Sequence, residues 1–269
     1  MVMLALAMSG GLYAVTGCLA GFLAGVLGIG GGIILVPALV FIFQHNPDIP
    51  SHLVMHLAAG SSLAVMFLTS QSSIRAHHQL NGISWDVFRL LWPGLALGSI
   101  SGVLCANFLS RGLLQGILAL FLLFVAGRMI FNPAFSSTEP AFPRLWINRS
   151  ISFSIGFISG LLGIGGGTLV IPYLQYCGVE LRKTIALSAL ATMTIALVGM
   201  LASVMTGWSE EGLPSYSTGY VYWPAVISLA LLSSIFAPLG AKMAYLIPTK
   251  QLKYGFVILL LIVALDLMV

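Results

Sequence analysis

The chain has 269 residues, of which 59% are hydrophobic and only 7% are charged, and its formal net charge is +4. A soluble domain carries about 25% charged residues, so the lipid bilayer rather than water is the main surrounding of this surface. The 11 basic residues outnumber the 7 acidic ones because acids are scarce. They form no Lys/Arg cluster, which argues against a nucleic-acid partner. The three cysteines lack metal-ligand spacing, and we expect neither a metal nor a cofactor.

Ten apolar runs follow one another along the chain. Each is expected to be a helix, because lipid offers no partner to backbone polar groups and a helix satisfies them internally. The approximate runs are 3–27, 31–43, 53–74, 84–108, 112–131, 150–163, 166–177, 183–206, 220–246 and 251–268. Since a complete crossing takes about 20 residues, the runs predict an all-α integral membrane protein with about eight to ten transmembrane segments.

Two short runs, 31–43 and 166–177, each follow a glycine cluster that should interrupt a helix. Around these clusters the chain repeats itself. Residues 21–41 read GFLAGVLGIGGGIILVPALVF, and residues 156–176 read GFISGLLGIGGGTLVIPYLQY. Eleven of the 21 positions are identical, at a spacing of 135 residues. Apolar composition alone would not produce Gly-Ile-Gly-Gly-Gly, followed by a proline, at both places.

This self-similarity predicts a duplicated unit. Residues 1–132 form the predicted first repeat of the membrane bundle, and residues 150–269 form the second. Residues 133–149 form a Pro-containing linker loop between them. Both repeats belong to one structural domain, because no stretch is polar enough to be a separate one.

Lys and Arg favour the cytoplasmic side of a membrane, so their positions indicate how the halves are oriented. If each glycine-broken region returns to the side that it left and both termini lie outside, ten of the 11 basic residues fall on the cytoplasmic side. Arg111 is then outside, together with the acidic Asp48, Glu210 and Glu211. We therefore predict two inverted repeats. Whether the broken arms are re-entrant or short full spans is left open. The ten cytoplasmic residues are Arg75, Arg89, Arg128, Arg144, Arg149, Arg182, Lys183, Lys242, Lys250 and Lys253.

The glycine clusters are candidates for a ligand site. A helix that begins inside the membrane exposes unpaired N–H groups at its first turn, and these groups and the helix dipole favour an anion. Broken helices of inverted repeats place the substrate near the midplane in many transporters. The alternative is close helix packing, which patterns such as Gly21-xxx-Gly25 provide in membranes. The candidate residues are Gly30, Gly31, Gly32, Gly165, Gly166, Gly167 and, through its hydroxyl, Thr168.

Hydroxyl groups on neighbouring helices could complete an anion site, since each donates one hydrogen bond. The candidates related by the repeat are Ser61, Ser62, Ser188 and Thr192. Alternatively, such a hydroxyl bonds to the backbone of its own helix. His56 precedes the two serines on an apolar run, and it could donate to an anion or carry a proton. The alternative for His56 is a place near the outer membrane–water interface.

The repeated block of Gly-Ile-Gly-Gly-Gly with its following proline resembles the hallmark of the sulfite exporter family known from TauE and SafE, also called the four-toluene-sulfonate uptake permease family. The resemblance covers nearly the whole chain. It implies a multi-pass protein of the bacterial cytoplasmic (inner) membrane that moves sulfur-containing or related organic anions, such as sulfite, sulfonates or sulfoacetate. The residues by themselves indicate only a small anion.

These observations favour a secondary transporter that works by alternating access. An anion-selective channel is an alternative. An intramembrane enzyme is less well supported, since the chain has no GxSxG with a matching base, no HExxH and no paired intramembrane carboxylates. It also has no P-loop, so ATP is not the direct energy source. Coupling to a proton and assembly into a homo-oligomer are left open.

Overall fold

Helices make up most of the computed structural model, which describes residue 11 and residues 13–22, 31–79, 84–131, 142–243 and 249–267. Between the eighth and ninth helices lies a two-stranded antiparallel hairpin, β1 (Ser217–Thr218) and β2 (Val221–Tyr222). The helices are α1 (Tyr13–Phe22), α2 (Gly32–Gln44), α3 (Val54–Gln79), α4 (Trp85–Ala106), α5 (Arg111–Phe131), α6 (Leu145–Leu162), α7 (Gly167–Tyr176), α8 (Leu181–Thr206), α9 (Trp223–Met243) and α10 (Thr249–Asp266).

Five of the described helices, α3, α4, α5, α6 and α8, are long and apolar enough to cross a membrane. α1, α2 and the first part of α9 are shorter apolar helices. Large apolar side chains such as Leu120, Ile227 and Ile262 point outward from the bundle. An apolar surface of this extent marks contact with lipid or with another protein. The predicted all-α membrane fold is confirmed.

The predicted interruption at the second glycine cluster is also confirmed. α6 ends at Leu162 and α7 begins at Gly167, and Gly163 between them has a φ of 70°. α2 begins directly after Gly31, which has a φ of 72°. A side chain is strained at such a φ, so the turn before each short helix depends on glycine. Gly30 lies outside the described residues.

α6 begins earlier than the sequence indicated. It starts at Leu145, so residues 145–149 of the predicted linker are helical. The polar character of this segment suggested a loop, but Asn148 is fully buried. Its Nδ2 donates to the carbonyl oxygen of Leu90 at 3.4 Å, and its Oδ1 accepts the hydroxyl of Tyr173. These partners satisfy the amide inside the bundle and allow the helix to extend.

α4 packs closely on α6 through small residues. A Cβ atom at Gly94 would lie 2.7 Å from the Cβ of Ser152, and one at Gly98 would lie 2.8 Å from the backbone N of Phe157. Residue numbers rise together along the two helices, so α4 and α6 run parallel. Small residues let helix backbones approach in this way in lipid.

α1 and α9 pair in the same manner. A Cβ atom at Gly17 would lie 2.9 Å from the Cβ of Leu232, and Gly21 lies against the backbone of Ser233. The Oγ of Ser233 donates to the carbonyl oxygen of Gly17 at 3.1 Å. Gly21 therefore serves helix packing. By their order in the two halves, α1 corresponds to α6 and α9 to α4, so this pair is the counterpart of the α4–α6 pair.

α3 and α8, the third helices of the two halves, cross each other. A Cβ atom at Gly60 would lie 3.2 Å from the Cβ of Ser203, and one at Gly199 would lie 3.0 Å from the Cδ1 of Leu63. Higher residue numbers on α3 meet lower ones on α8, so the two helices run antiparallel. Equivalent helices of an inverted repeat have opposite directions. The inverted orientation stays a prediction, and this crossing supports it.

Several loops meet at one end of the bundle. Arg111, at the start of α5, donates to the carbonyl oxygen of Ser51 at 3.2 Å. The hydroxyl of Tyr220 donates to Oδ1 of Asn107 at 2.9 Å and to Oε2 of Glu210 at 3.4 Å. Arg111 and Glu210 thus belong to the same end of the bundle, as the distribution of charges along the chain predicts.

Candidate functional site

The glycine breaks of the two halves come into contact. A Cβ atom at Gly32, the first residue of α2, would lie 2.6 Å from the backbone N of Gly165 and 3.1 Å from the Cα of Ile164. A residue with a side chain does not fit at Gly32 against this backbone. The start of α2 and the break before α7 therefore lie in contact with each other inside the bundle. We call residues 31–33 and 163–168 together the glycine junction.

The first turn of α2 leaves backbone donors unused within the helix. The N–H groups of Ile34 and Leu35 both donate to the carbonyl oxygen of Gly31, each at 3.0 Å. The N–H groups of Gly32 and Ile33 lie before these bonds, where a helix has no carbonyl partner to offer. Gly31 has no side chain that could cap them. α2 therefore directs N–H groups that have no partner within the helix, and the positive end of its dipole, toward the junction.

α7 begins in the same way. The N–H groups of Leu169 and Val170 donate to the carbonyl oxygen of Gly166 at 3.1 and 2.8 Å. The N–H groups of Gly167 and Thr168 lie before these bonds and have no partner within the helix. No side-chain cap is present at Gly166. Two uncapped helix N-termini thus meet at the junction, and an anion is the ligand that such termini favour.

A buried hydroxyl faces the junction from α3. On this helix Ala59 lies against Gly163, and Met66 lies against Gly165. Ser62 is three residues after Ala59 and four before Met66, so it lies on the same face of the helix. Ser62 is fully buried, and its Oγ has no hydrogen-bond partner among the described residues. Leaving a buried hydroxyl unpaired costs about 1–3 kcal/mol, so this group is suited to a polar ligand.

α8 and α7 bring further hydroxyl groups to the second break. A Cβ atom at Gly165 would lie 2.8 Å from the Cγ2 of Thr192 and 3.4 Å from its Oγ1. Ser188 is buried one turn earlier on the same face of α8. The Oγ1 of Thr168 is buried and has no partner within the part of the chain that the structure describes. Thr192, the repeat counterpart of Ser62, lies against Gly165, and Ser62 lies on the face of α3 that meets the junction.

Two candidates lie away from the junction. The Oγ of Ser61 accepts the backbone N–H of Tyr222 at 2.9 Å, so this hydroxyl binds the hairpin. The Nε2 of His56 is 3.0 Å from the carbonyl oxygen of Ala106, and the ring lies 5.1 Å from the ring of Tyr220. His56 is therefore near the end of the bundle where the loops meet, which agrees with a place close to the membrane interface.

Sequence reasoning missed two residues next to the junction. The Sδ of Met66 accepts the N–H of Gly165 at 3.1 Å. Ser159 is fully buried in the last turn of α6, and no described residue is a partner for its Oγ. Met66 is one apolar residue in an apolar run and carries no sequence signal. Ser159 lies inside the repeated block, where its polarity among apolar neighbours could have indicated it.

A groove of about 730 Å³ lies elsewhere, between α5, α6 and α7. Its walls are mostly apolar, with residues such as Leu123, Ile155 and Leu169, and Arg128 is its charged residue. Apolar walls cannot replace the hydration of a small anion. The glycine junction, with its hydrogen-bond donors, is therefore the better candidate for an anion site.

Curated relatives cover the chain almost from end to end. A probable membrane transporter protein of Haemophilus influenzae is 34% identical over 258 residues, which are 95% of this chain and 97% of the relative. Another, of Methanocaldococcus jannaschii, is 30% identical over 243 residues, which are 90% and 89% of the two chains. The probable membrane transporter protein YunE of Bacillus subtilis is 24% identical and covers 95% of this chain. No solved structure matches the chain.

The family comparison agrees with these relatives. The family model described as sulfite exporter TauE/SafE matches residues 13–267, which span both glycine clusters and all the described transmembrane helices. Together with the five long apolar helices, this match shows a multi-pass membrane protein. The chain belongs to the TauE/SafE family of membrane transporters.

Proposed function

We propose that this chain is a secondary transporter, and not an enzyme, that moves a small sulfur-containing anion of the sulfite or sulfonate class across a bacterial cytoplasmic membrane. The family description names sulfite exporters, and the similar proteins are named as probable membrane transporters. Sulfur oxyanions carry several acceptor oxygens. A site that consists of N–H and O–H donors is chemically matched to them.

The contact between Gly32 and Gly165 carries this proposal. It brings the uncapped N-termini of α2 and α7 to one place. Ser62, whose buried hydroxyl has no partner among the described residues, lies on the face of α3 that meets this place. N–H and O–H groups in a dry interior lose their hydrogen bonds to water, so each of these three features favours a polar ligand. An anion would satisfy all three at once. Hydrogen bonds to an ionised acceptor are about twice as strong as neutral ones.

Alternating access at this site follows from the arrangement of the halves that we propose. The antiparallel crossing of α3 and α8 and the matched pairs α4–α6 and α1–α9 support an inverted repeat. In such transporters one half rocks against the other around a site at their interface. The junction is built from both halves, so a rocking motion would change the access to it from either side. His56, near the loop end, is a candidate for proton coupling.

The experiment that tests the proposal is a flux assay on the purified protein in liposomes, with sulfite and taurine as probes. We expect Ser62→Ala to lower the flux about tenfold at low substrate concentration, since a hydrogen bond to a charged group contributes roughly 1.5–3 kcal/mol. Ser101→Ala is the matched control. The Ser101 hydroxyl donates to the carbonyl oxygens of Leu97 and Gly98 on its own helix, at 2.8 and 2.9 Å.

The two outcomes against the proposal differ. Equal flux in Ser62→Ala and wild type would remove Ser62 from the site and leave the substrate class standing. An absence of flux with every sulfur oxyanion, in protein that unfolds cooperatively on heating, would overturn the substrate class.

A further inference from the structure

The side chain of Met66 reaches into the glycine junction from α3. Its Sδ accepts the N–H of Gly165 at 3.1 Å. The same sulfur lies 2.6 Å from the position that a Cβ atom would take at Gly32, and 2.8 Å from the position at Gly165. Met66 is fully buried. The thioether therefore lies between the glycine breaks of the two halves. There it accepts a hydrogen bond from the N–H of Gly165, which belongs to the junction.

We propose that Met66 is the residue that sets the affinity of this site, because its thioether occupies the place of the substrate anion and has to leave when an anion binds. The inference rests on the proposed function, since it takes the junction to be the anion site. Ser62, one turn away on the same face of α3, is the buried hydroxyl that an anion in that place would reach.

The chemistry of the two acceptors makes this exchange favourable. A thioether sulfur is a weak hydrogen-bond acceptor, whereas an oxyanion makes charge-assisted bonds that are shorter and stronger. The thioether nevertheless keeps the N–H of Gly165 from being left unpaired in a dry interior, which would cost about 1–3 kcal/mol. Met66 thus stabilises the junction, and a stronger acceptor can replace its sulfur on the N–H of Gly165.

The shape of methionine suits the same role. Its side chain is unbranched and has three rotatable bonds, so the sulfur can swing away without movement of α3. A β-branched residue would be held near one rotamer and would block the junction. The energy needed to displace the thioether is subtracted from the binding energy of the anion. A transporter benefits from this, because it has to release its substrate as well as bind it.

The test measures the dissociation constant of sulfite by calorimetry on the purified protein in detergent. Met66→Ala removes the internal competitor, and we expect the Kd to fall roughly three- to tenfold, since no part of the binding energy is then spent on displacement. Met66→Leu keeps a similar volume and removes the acceptor, so we expect a smaller fall of about twofold.

Met55→Ala is the matched control. Met55 is a methionine on the same helix and is also almost fully buried. It is 11 residues from Met66, or about 16 Å along a helix. It is expected to lose stability to a similar extent on truncation while the Kd for sulfite stays unchanged. Met66→Leu keeps the test decisive if Met66→Ala does not fold.

A second readout follows the side chain itself. In protein labelled with ¹³C at the methionine methyl groups, saturating sulfite should shift the signal of Met66 and leave that of Met55 in place. A purely structural methionine would show neither this shift nor a lowered Kd on truncation.

The failures are distinguishable. Sulfite binding in wild type with an equal or higher Kd in both Met66 variants would overturn the inference and leave the proposed function intact. Wild type that binds neither sulfite nor taurine would overturn the proposed function, and the inference with it.

Discussion

The backbone N–H of Tyr222 donates to the Oγ of Ser61 at 2.9 Å, and this bond connects the first half of α3 to the hairpin between α8 and α9. Ser61 is fully buried, so its hydroxyl is the partner that keeps this N–H satisfied. The neighbouring Ser62 has no such partner among the described residues. Two adjacent serines of one helix therefore have different roles, one in structure and one in the candidate site.

This difference predicts opposite phenotypes for two alanine variants. Ser61→Ala leaves the part-buried N–H of Tyr222 without its partner and should lower the free energy of unfolding by about 1 kcal/mol, with little change in the Kd for sulfite. Ser62→Ala removes a hydroxyl that has no partner among the described residues, so it should not lower stability, and it should weaken sulfite binding. Thermal unfolding in detergent, with and without sulfite, measures both effects. Equal loss of stability in the two variants would contradict the assignment.

Gly166 offers a cleaner test of the junction than Gly31 does. The left-handed φ of 72° at Gly31 makes any side chain there a strain on folding, so a loss of transport in Gly31→Leu would be ambiguous. Gly166 has an ordinary helical φ of −64°. A Cβ atom at Gly166 would meet the flexible end of Ile195 at 2.6 Å, with Val170 next at 3.5 Å.

We therefore expect Gly166→Ala to fold and to lower sulfite flux several-fold, because its methyl group lies next to the first N–H groups of α7, which have no partner within the helix. Gly116→Ala is the control. Gly116 lies on α5, and a Cβ atom there would have nothing within 4 Å. It should leave flux unchanged, and alanine should stabilise the helix by up to about 1 kcal/mol. Wild-type flux in Gly166→Ala would exclude the first turn of α7 from the site.

The helix breaks at the glycine clusters were the part of the fold that could be predicted from the sequence. Glycine clusters interrupt helices for a local reason, and the start of α7 at Gly167 falls where the sequence indicated it. The start of α2 at Gly32 does so as well. Local reasoning failed at residues 145–149, because the partners that bury Asn148 come from α4 and α7. The hairpin was also missed, since its strands have only two residues each.

Only part of the candidate site could be proposed from the sequence. The sequence offered the glycines and Ser62 as candidates, because the repeat pairs each with a counterpart. The different roles of the Ser61 and Ser62 hydroxyls could not be predicted, because they depend on how α3 is rotated about its axis. α3 is largely buried among other helices, and its sequence has no single polar face that would fix this rotation. Met66 was missed for the same reason.

The orientation of the halves predicts which loops a membrane-impermeant thiol reagent reaches. Glu210→Cys and Arg149→Cys place one exposed thiol at each end of the bundle. In a background without Cys18, Cys105 and Cys177, we expect the two positions to label from opposite sides of the membrane, with Glu210→Cys accessible from outside. The positive-inside rule supplies this assignment. Labelling of both positions from the same side would contradict the predicted topology.

The hydroxyl of Tyr220, in the turn of the hairpin, should make the stability of the protein depend on pH in the alkaline range. Burial, and to a smaller extent the nearby Glu210 carboxylate, raises the pKa of its hydroxyl from 10.0 to about 12. The unfolded chain therefore loses this proton before the folded chain does. The contribution of Tyr220 to stability is complete below pH 10 and is lost as the pH rises to about 12.

We expect the unfolding temperature in detergent to fall across this window, and Tyr220→Phe to make the fall shallower. The variant should also be less stable at neutral pH by roughly 1 kcal/mol, because it loses the bonds to Asn107 and Glu210. Part of the alkaline response should persist, since burial, and then Asp48, also raises the pKa of Tyr222. Tyr216→Phe changes an exposed tyrosine of the same loop and serves as the control. An equally steep fall in wild type and Tyr220→Phe would show that the Tyr220 hydroxyl does not govern the alkaline stability of this end of the bundle.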